Sequence, residues 1–154
     1  YWLLDFVAVH FADLTVVESD SQAEYFVKLF GVKRNKVLRN WIGVDENNFF
    51  HDQFRQKFDT FTVFFRGALM PEAGAKYVVR AAKSLEDKDI RFIIVGGGIL
   101  SGRIKELIGE LNPKNLEYVE DYLSYEKLRK IMQKCHLSLG QLSDHNRLSR
   151  TIPH

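Results

Sequence analysis

The sequence predicts an α/β fold built on a parallel sheet. Two observations carry that prediction. From residue 61 onward, short apolar runs of strand length alternate with segments whose apolar residues recur at helical spacing. The clearest of the short runs, Ile90-Arg91-Phe92-Ile93-Ile94-Val95, then ends in Gly96-Gly97-Gly98. A continuous apolar run suits a strand buried on both faces, and glycine behind it lets the backbone turn tightly before a helix. Strand, helix, strand in that order implies right-handed crossovers between parallel neighbours.

The elements follow in order. Residues 1 to 12 read as a buried helix and Leu14 to Val17 as a short strand. Ser21-Gln22-Ala23-Glu24 has the form of a capping box, and the helix it opens places Ala23, Phe26, Val27 and Phe30 on one face. Gly31 is the expected stop. Lys33-Arg34-Asn35-Lys36 reads as a solvated loop, Lys36 to Asn40 as a strand and residues 41 to 45 as a turn. Glu46 to Thr60 is polar with scattered Phe and reads as a connector.

The regular alternation then begins. Phe61 to Arg66 is the first strand, with Phe61, Phe64 and Phe65 expected in the core. Ala75, Val78, Val79, Ala82 and Leu85 mark the next helix face, and Ile90 to Val95 is the second strand. Ile104, Leu107, Ile108 and Leu111 mark a further helix, which Pro113 closes. Leu116 to Val119 is the third strand. Ser124 caps a helix with Leu128, Ile131, Met132 and Cys135 inward, and His136 to Leu139 is the fourth strand before a polar loop at 143 to 149.

Bulk properties narrow the function. A 154-residue chain with 45% hydrophobic residues fills one domain, or one domain and part of another. A net charge of +2 with mixed signs gives no case for a nucleic-acid partner. One cysteine, Cys135, allows no internal disulfide and reads as an inert core thiol. With five scattered histidines it makes no metal site, and no histidine stands at triad spacing from a nucleophile. The apolar N-terminus is too short for a membrane span and is interrupted by Asp5, His10 and Asp13, and it has no basic n-region for a signal peptide. The chain opens mid-helix without Met and stops at Ile152-Pro153-His154, and it reads as a fragment of a longer protein.

In open α/β sheets, ligands lie at the carboxyl ends of the strands, where helix N-termini favour anions. The glycine run at 96 to 98 therefore reads either as a phosphate or nucleotide site or as an ordinary strand-to-helix connection.

Four segments together resemble the family-4 retaining glycosyltransferases, which have two Rossmann-like domains (GT-B). Ala12-Asp13-Leu14-Thr15-Val16-Val17-Glu18-Ser19 is similar to that family's "AD-apolar-apolar-S" segment. Gly31-Val32, Lys36-Val37 and Gly43-Val44-Asp45 are similar to its "FGV..EKV..I.NGVD" crossover. Phe65-Arg66-Gly67-Ala68-Leu69-Met70-Pro71-Glu72-Ala73-Gly74 resembles its "GRL.PEKG" loop, and Ile93 to Gly98 its "IVG.G" loop.

The resemblance implies a Rossmann-like parallel sheet with helices on both faces, a truncated C-terminal GT-B domain. Residues 1–42 would be the tail of the acceptor-side domain, and 43–154 an incomplete domain for a nucleotide-sugar donor. The parent enzyme would be a hexosyltransferase, moving a sugar from a nucleotide-diphosphate-sugar to an acceptor with retention, and this fragment would be inactive alone. No cofactor or metal is implied, because cationic side chains neutralise the phosphates. The acceptor would be a glycan, a lipid-linked sugar or a small molecule, in a cytoplasmic protein with possible peripheral contact at the cytoplasmic membrane face.

Carried over by position, Arg66, Gly67, Gly96 and Gly98 would meet the donor diphosphate, with Arg147 and Arg150 approaching it from the loop near the end. Asp121, Tyr122 and Leu123 resemble the place where the family's backbone holds the nucleobase, with Tyr122 able to stack on a base; the same stretch also reads as a polar turn, with Asp121 capping the next helix. The chain departs from the family at Ala68 and Ala73, where Arg and Lys usually hold phosphate, and at Ile42 in place of Asn. It has no Glu after Glu126, so the family's E-x7-E segment is not in this sequence.

Two other readings stand beside this one. Gly96-Gly97-Gly98-Ile99-Leu100-Ser101-Gly102 loosely matches a dinucleotide fingerprint, giving an NAD(P)-binding oxidoreductase domain. That fingerprint belongs after the first strand of its domain, with an acidic residue at the end of the second, and Glu117 lies inside a strand instead. The third reading is a non-catalytic nucleotide-binding or interaction module, suggested by Ala68 and Ala73.

Overall fold

The computed structural model describes residues 2–41, 43–50, 52 and 54–142. The chain divides into two compact units, one reaching to Gly43 and the other beginning at Val44.

In the first unit, helix α1 (Trp2–Phe11), strand β1 (Thr15–Val17), helix α2 (Asp20–Phe30) and strand β2 (Val37–Arg39) follow in order. The two strands pair in parallel, Thr15 opposite Val37 and Val17 opposite Arg39. Val9, Val17, Ala23, Phe30, Val32 and Val37 form the core, with Phe26 and Val27 packed against it. Gly31 takes the left-handed conformation at φ 69° and its N–H donates to the Val27 carbonyl, closing α2 as its sequence position requires.

Two expectations for this unit are corrected, and a third, the exposed basic segment after α2, gains a defined turn. Helix α1 forms, but it is not a buried helix: Trp2, Leu3, Leu4, Val7 and Phe11 are exposed and only Val9 is buried. The capping box sits two residues earlier than expected. Ser19 caps α2 by accepting from the Gln22 N–H at 3.1 Å, and the Gln22 side chain accepts from the Glu18 N–H at 2.9 Å. Gln supplies the reach-back that Glu supplies elsewhere, so the Ser21–Glu24 pair has the right spacing in the wrong register. Residues Arg34–Lys36 form a turn of 3-10 helix whose cations are used: Arg34 donates to the Val37 carbonyl and Lys36 to that of Ala12.

The second unit is the parallel sheet. Its strands β3 (Phe61–Arg66), β4 (Ile90–Val95), β5 (Leu116–Val119) and β6 (Leu137–Leu139) lie in the order β5-β4-β3-β6, all parallel. Helices α3 (Ala75–Ser84), α4 (Ser101–Leu111) and α5 (Tyr125–Lys134) connect them. The chain builds outward from β3 to β5, then returns to place β6 on the other side of β3, so the order reverses beside β3.

The alternation of side chains along the strands divides the core in two. Val63, Phe65, Phe92 and Ile94 face α3 and α4, with Val78, Val79 and Ile104 among their partners. Phe64, Ile93 and Val95 face α5 through Leu128, with Ile131, Met132 and Cys135 behind it. Phe61 is the exception to the predicted aromatic core. It begins the strand, is exposed, and stacks on His136 with ring centroids 5.0 Å apart. His136 Nδ1 accepts from the Thr62 N–H at 3.0 Å, tying the start of β6 to that of β3.

The polar connector also has a structural role. Arg129 and Gln133 of α5 donate to the carbonyls of Asn48 and Phe50, and the Phe58 N–H donates to the Lys134 carbonyl. Phe49 and Phe58 pack on the α5 side of the core, which explains the aromatics scattered through a polar stretch.

Cys135 is buried, and its thiol donates to the Ile131 carbonyl at 3.2 Å. Burial pushes the thiol from 9.0 up to about 11, against the opposing pull of Lys57 and Arg91. Below pH 9 the thiol is protonated both folded and unfolded and makes no difference. Between about 9 and 11 the unfolded chain releases a proton that the folded chain keeps, so stability falls as pH rises. Urea midpoints at about pH 8 and about pH 10.5 are therefore expected to diverge more for the native chain than for Cys135→Ala. An equal drop in both would remove the thiol as the cause.

Candidate functional site

Two loops meet at the carboxyl ends of β3 and β4, and their backbones are joined. The Leu69 N–H donates to the Gly97 carbonyl at 2.9 Å, and the Leu100 N–H to the Leu69 carbonyl at 3.0 Å. Such an approach leaves no room for side chains. A Cβ on Gly98 would fall 2.8 Å from the Leu69 nitrogen, and one on Gly96 3.1 Å from the Gly67 carbonyl carbon and closer still to its oxygen. Both glycines have positive φ, 137° at Gly96 and 156° at Gly98, which side-chain-bearing residues rarely adopt. Gly67 differs: a Cβ there would meet nothing within 4 Å. The space kept by Gly96 and Gly98 is thus filled by the neighbouring loop, while the space beside Gly67 is open.

Beside this junction, on the α5 side of the sheet, is a small cleft of about 60 Å³. The structure brings Arg66, Gly67, Gly96, Asp121, Tyr122 and Leu123 together around it. These six come from three separate strand ends. Gly98 does not line the cleft, and Arg147 and Arg150 lie outside the described residues. Ala68, marked from sequence as a departure from the family, also lines it, as do Val95 and Leu128, which were not singled out as site residues. Val95 and Leu128 read there as core residues, which they also are, and only their position at the sheet edge adds the second role.

The two charges in the cleft are free of partners among the described residues. Arg66 is the last residue of β3, on the same side as Phe64, and is exposed. Its guanidinium has no hydrogen bond or ion pair there, and neither has the Asp121 carboxylate. The adjacent acid is engaged instead: Glu120 pairs with Lys105, and that hydrogen bond raises the pKa of the lysine. The capping role left open for Asp121 falls to Ser124, whose Oγ accepts from the Lys127 N–H at 3.4 Å. Tyr122 stands 83% exposed.

The two family departures have different surroundings. Ala68 is exposed at the cleft. Ala73 is buried, and its carbonyl accepts from the Leu142 N–H at 3.2 Å. A larger cavity of about 420 Å³ lies between α3 and α4, with Leu69, Lys76, Arg80, Arg103 and Leu107 in its wall. None of the candidate site residues read from sequence lines it among the described residues. The smaller cleft is the better candidate, because it lies at the carboxyl ends of β3, β4 and β5, where open α/β sheets hold their ligands.

This arrangement is that of a parallel α/β domain with a cleft at its strand ends, and comparison with known proteins gives its family. Residues 46–141 match the family described as glycosyl transferases group 1, and the chain belongs to that family. An uncharacterized glycosyltransferase of Methanocaldococcus jannaschii is 27% identical over 119 residues, covering 71% of this chain and 29% of the relative.

Among solved structures, TarM of S. aureus, crystallised with fondaparinux, alpha-GlcNAc-glycerol and UDP, superposes with a TM-score of 0.71 at 15% identity, over 86% of this chain and 26% of that one. HepE of Anabaena, in complex with UDP and glucose, gives 0.70 at 16% identity, over 89% and 40%. The pneumococcal O-GlcNAc transferase GtfA, in complex with UDP and GlcNAc, gives 0.66 at 18%, over 84% and 26%. These likenesses establish the fold, the α/β parallel sheet with helices of GT-B glycosyltransferases. The chain spans well under half the length of each relative.

Proposed function

We propose that the second unit binds the nucleotide-diphosphate-sugar donor of a retaining glycosyltransferase. The observation that carries this reading is the cleft itself. It gathers a guanidinium and a carboxylate with no partner among the described residues, an exposed aromatic ring and an open glycine backbone at the carboxyl ends of β3, β4 and β5. That combination suits a ligand with a charged part and a flat part. Membership of the group 1 family supports it. So does the UDP named with the TarM, HepE and GtfA structures, each bound to that protein.

In the reaction proposed for the whole enzyme, the bond from the anomeric carbon to the diphosphate breaks. A bond to an acceptor oxygen forms on the same face, and the acceptor's proton leaves to a base. Charge developing on the leaving diphosphate is what fixed donors and cations would stabilise. A hexose as the transferred sugar, and a glycan, lipid-linked sugar or small molecule as acceptor, belong to the same proposal. Residues 1–42 as the acceptor-side tail and a cytoplasmic location with peripheral membrane contact do too. The exposed apolar side chains of α1 suit such contact, and no helix among the described residues is long and apolar enough to cross a membrane.

Ligand-observed NMR of this chain with UDP, GDP, ADP and NAD tests the donor reading. Binding of a nucleoside diphosphate in preference to NAD, weakened about tenfold or more by Arg66→Ala, is the expected result. Preference for NAD would favour an oxidoreductase-type domain. Absence of all binding would favour an interaction module.

A further inference from the structure

We infer that this cleft reads the base of the donor through Asp121 and Arg66, and that the base is guanine. The inference rests on the donor reading above and assigns Arg66 to the base edge, where its sequence position had suggested the diphosphate.

Three observations lead there. First, Asp121 serves neither of the structural roles open at its position, since Ser124 caps α5 and the ion pair at this strand exit belongs to Glu120 and Lys105. Second, Arg66 lines the same cleft from the end of β3, and the two opposite charges are not paired with each other or with any described group. A small surface cleft holding a free cation and a free anion is matched by a ligand presenting an acceptor and donors along one edge. Third, Tyr122 follows Asp121 directly and exposes its ring, giving a flat surface beside that edge. Stacking of a base on such a ring contributes about 1–3 kcal/mol and does not distinguish one base from another.

The discrimination lies in the hydrogen-bonding edge. A carboxylate binds best to two donors side by side. Guanine offers N1–H and N2–H in that arrangement, with the O6 acceptor next to them for a guanidinium. Uracil offers one donor, N3–H, flanked by two carbonyl oxygens, so a carboxylate taking it leaves its second oxygen against an acceptor. Adenine places its N1 acceptor beside the N6 donor, with the same result. Polar groups left facing their own kind in a binding site are the strongest source of rejection. The UDP named with TarM, HepE and GtfA does not decide the base, since likeness at 15–18% identity carries the fold.

The test is titration calorimetry of this chain with GDP, UDP and ADP in one buffer at one salt concentration. The native chain is expected to bind GDP about tenfold or more tightly than UDP or ADP. Asp121→Asn keeps the shape but puts a donor where guanine needs an acceptor. It should collapse the GDP-to-UDP ratio and leave UDP binding within about twofold. Arg66→Ala should weaken GDP more than UDP. Unchanged amide NMR spectra for the two variants away from the cleft show that folding is preserved. If UDP or ADP binds more tightly than GDP, or Asp121→Asn leaves the ratio unchanged, the base assignment is overturned and the donor reading stands. If no diphosphate binds the native chain, both fall.

Discussion

Gly96→Ala is expected to destabilise the second unit by on the order of 3 kcal/mol or more, enough to unfold a marginal domain. Two costs combine. At φ 137° the backbone lies where a residue with a side chain rarely sits, at about 1–3 kcal/mol. The added methyl would also be driven into the Gly67 carbonyl group. That carbonyl is backbone at a strand end, held because the Gly67 N–H donates to Val95 and the Gly96 N–H to Val119. Neither loop can retreat without breaking the bonds that join Leu69 to Gly97 and Leu100.

Gly67→Ala is the matched control. Its Cβ would enter open space, so stability should change by less than about 1 kcal/mol while ligand binding at the cleft falls. Urea denaturation of the two variants checks this. Equal stabilities would mean that the loop junction relaxes, and that the glycine at 96 is not a packing requirement.

Phe64→Ala is expected to cost about 3–5 kcal/mol. Phe64 is fully buried in β3, which has β4 on one side and β6 on the other, and it fills the space beneath α5 with Ile93, Val95 and Leu128. A strand paired along both edges cannot collapse into the void, so the cavity term is kept in full. Phe61→Ala is the contrast within the same strand: Phe61 is exposed and contributes a ring stack on His136, about 1 kcal/mol. Denaturant midpoints at unchanged slope would separate the two. Similar losses at both positions would contradict the burial difference.

The sequence was informative where physics is local. Period and spacing located β3 to β6 and α3 to α5 within a residue or two, because a buried strand and an amphipathic helix each require their own apolar pattern. Register was less legible. The capping box of α2 shifted by two residues because Ser19 and Ser21, with Gln22 and Glu24, offer the same chemistry in two frames, and the folded helix uses the earlier one. Burial of α1 was misjudged for a related reason: an apolar composition says that a helix needs a partner, not that one is present. The wording of four loop segments carried the family resemblance, and membership followed from the match over residues 46–141.

By itself, then, the sequence determined an α/β parallel sheet, its elements and a family likeness, all of which depend on patterns a few residues long. Only the tertiary structure decided which glycines serve packing and which leaves open space, because that depends on another loop arriving from a different strand. It also decided that Asp121 is not a cap, that Glu120 is engaged by Lys105, and that Arg66 comes from more than 50 positions away to share a cleft with Asp121. Side chains that distant are brought together by strand order, and strand order is a property of the folded sheet rather than of any short stretch of sequence.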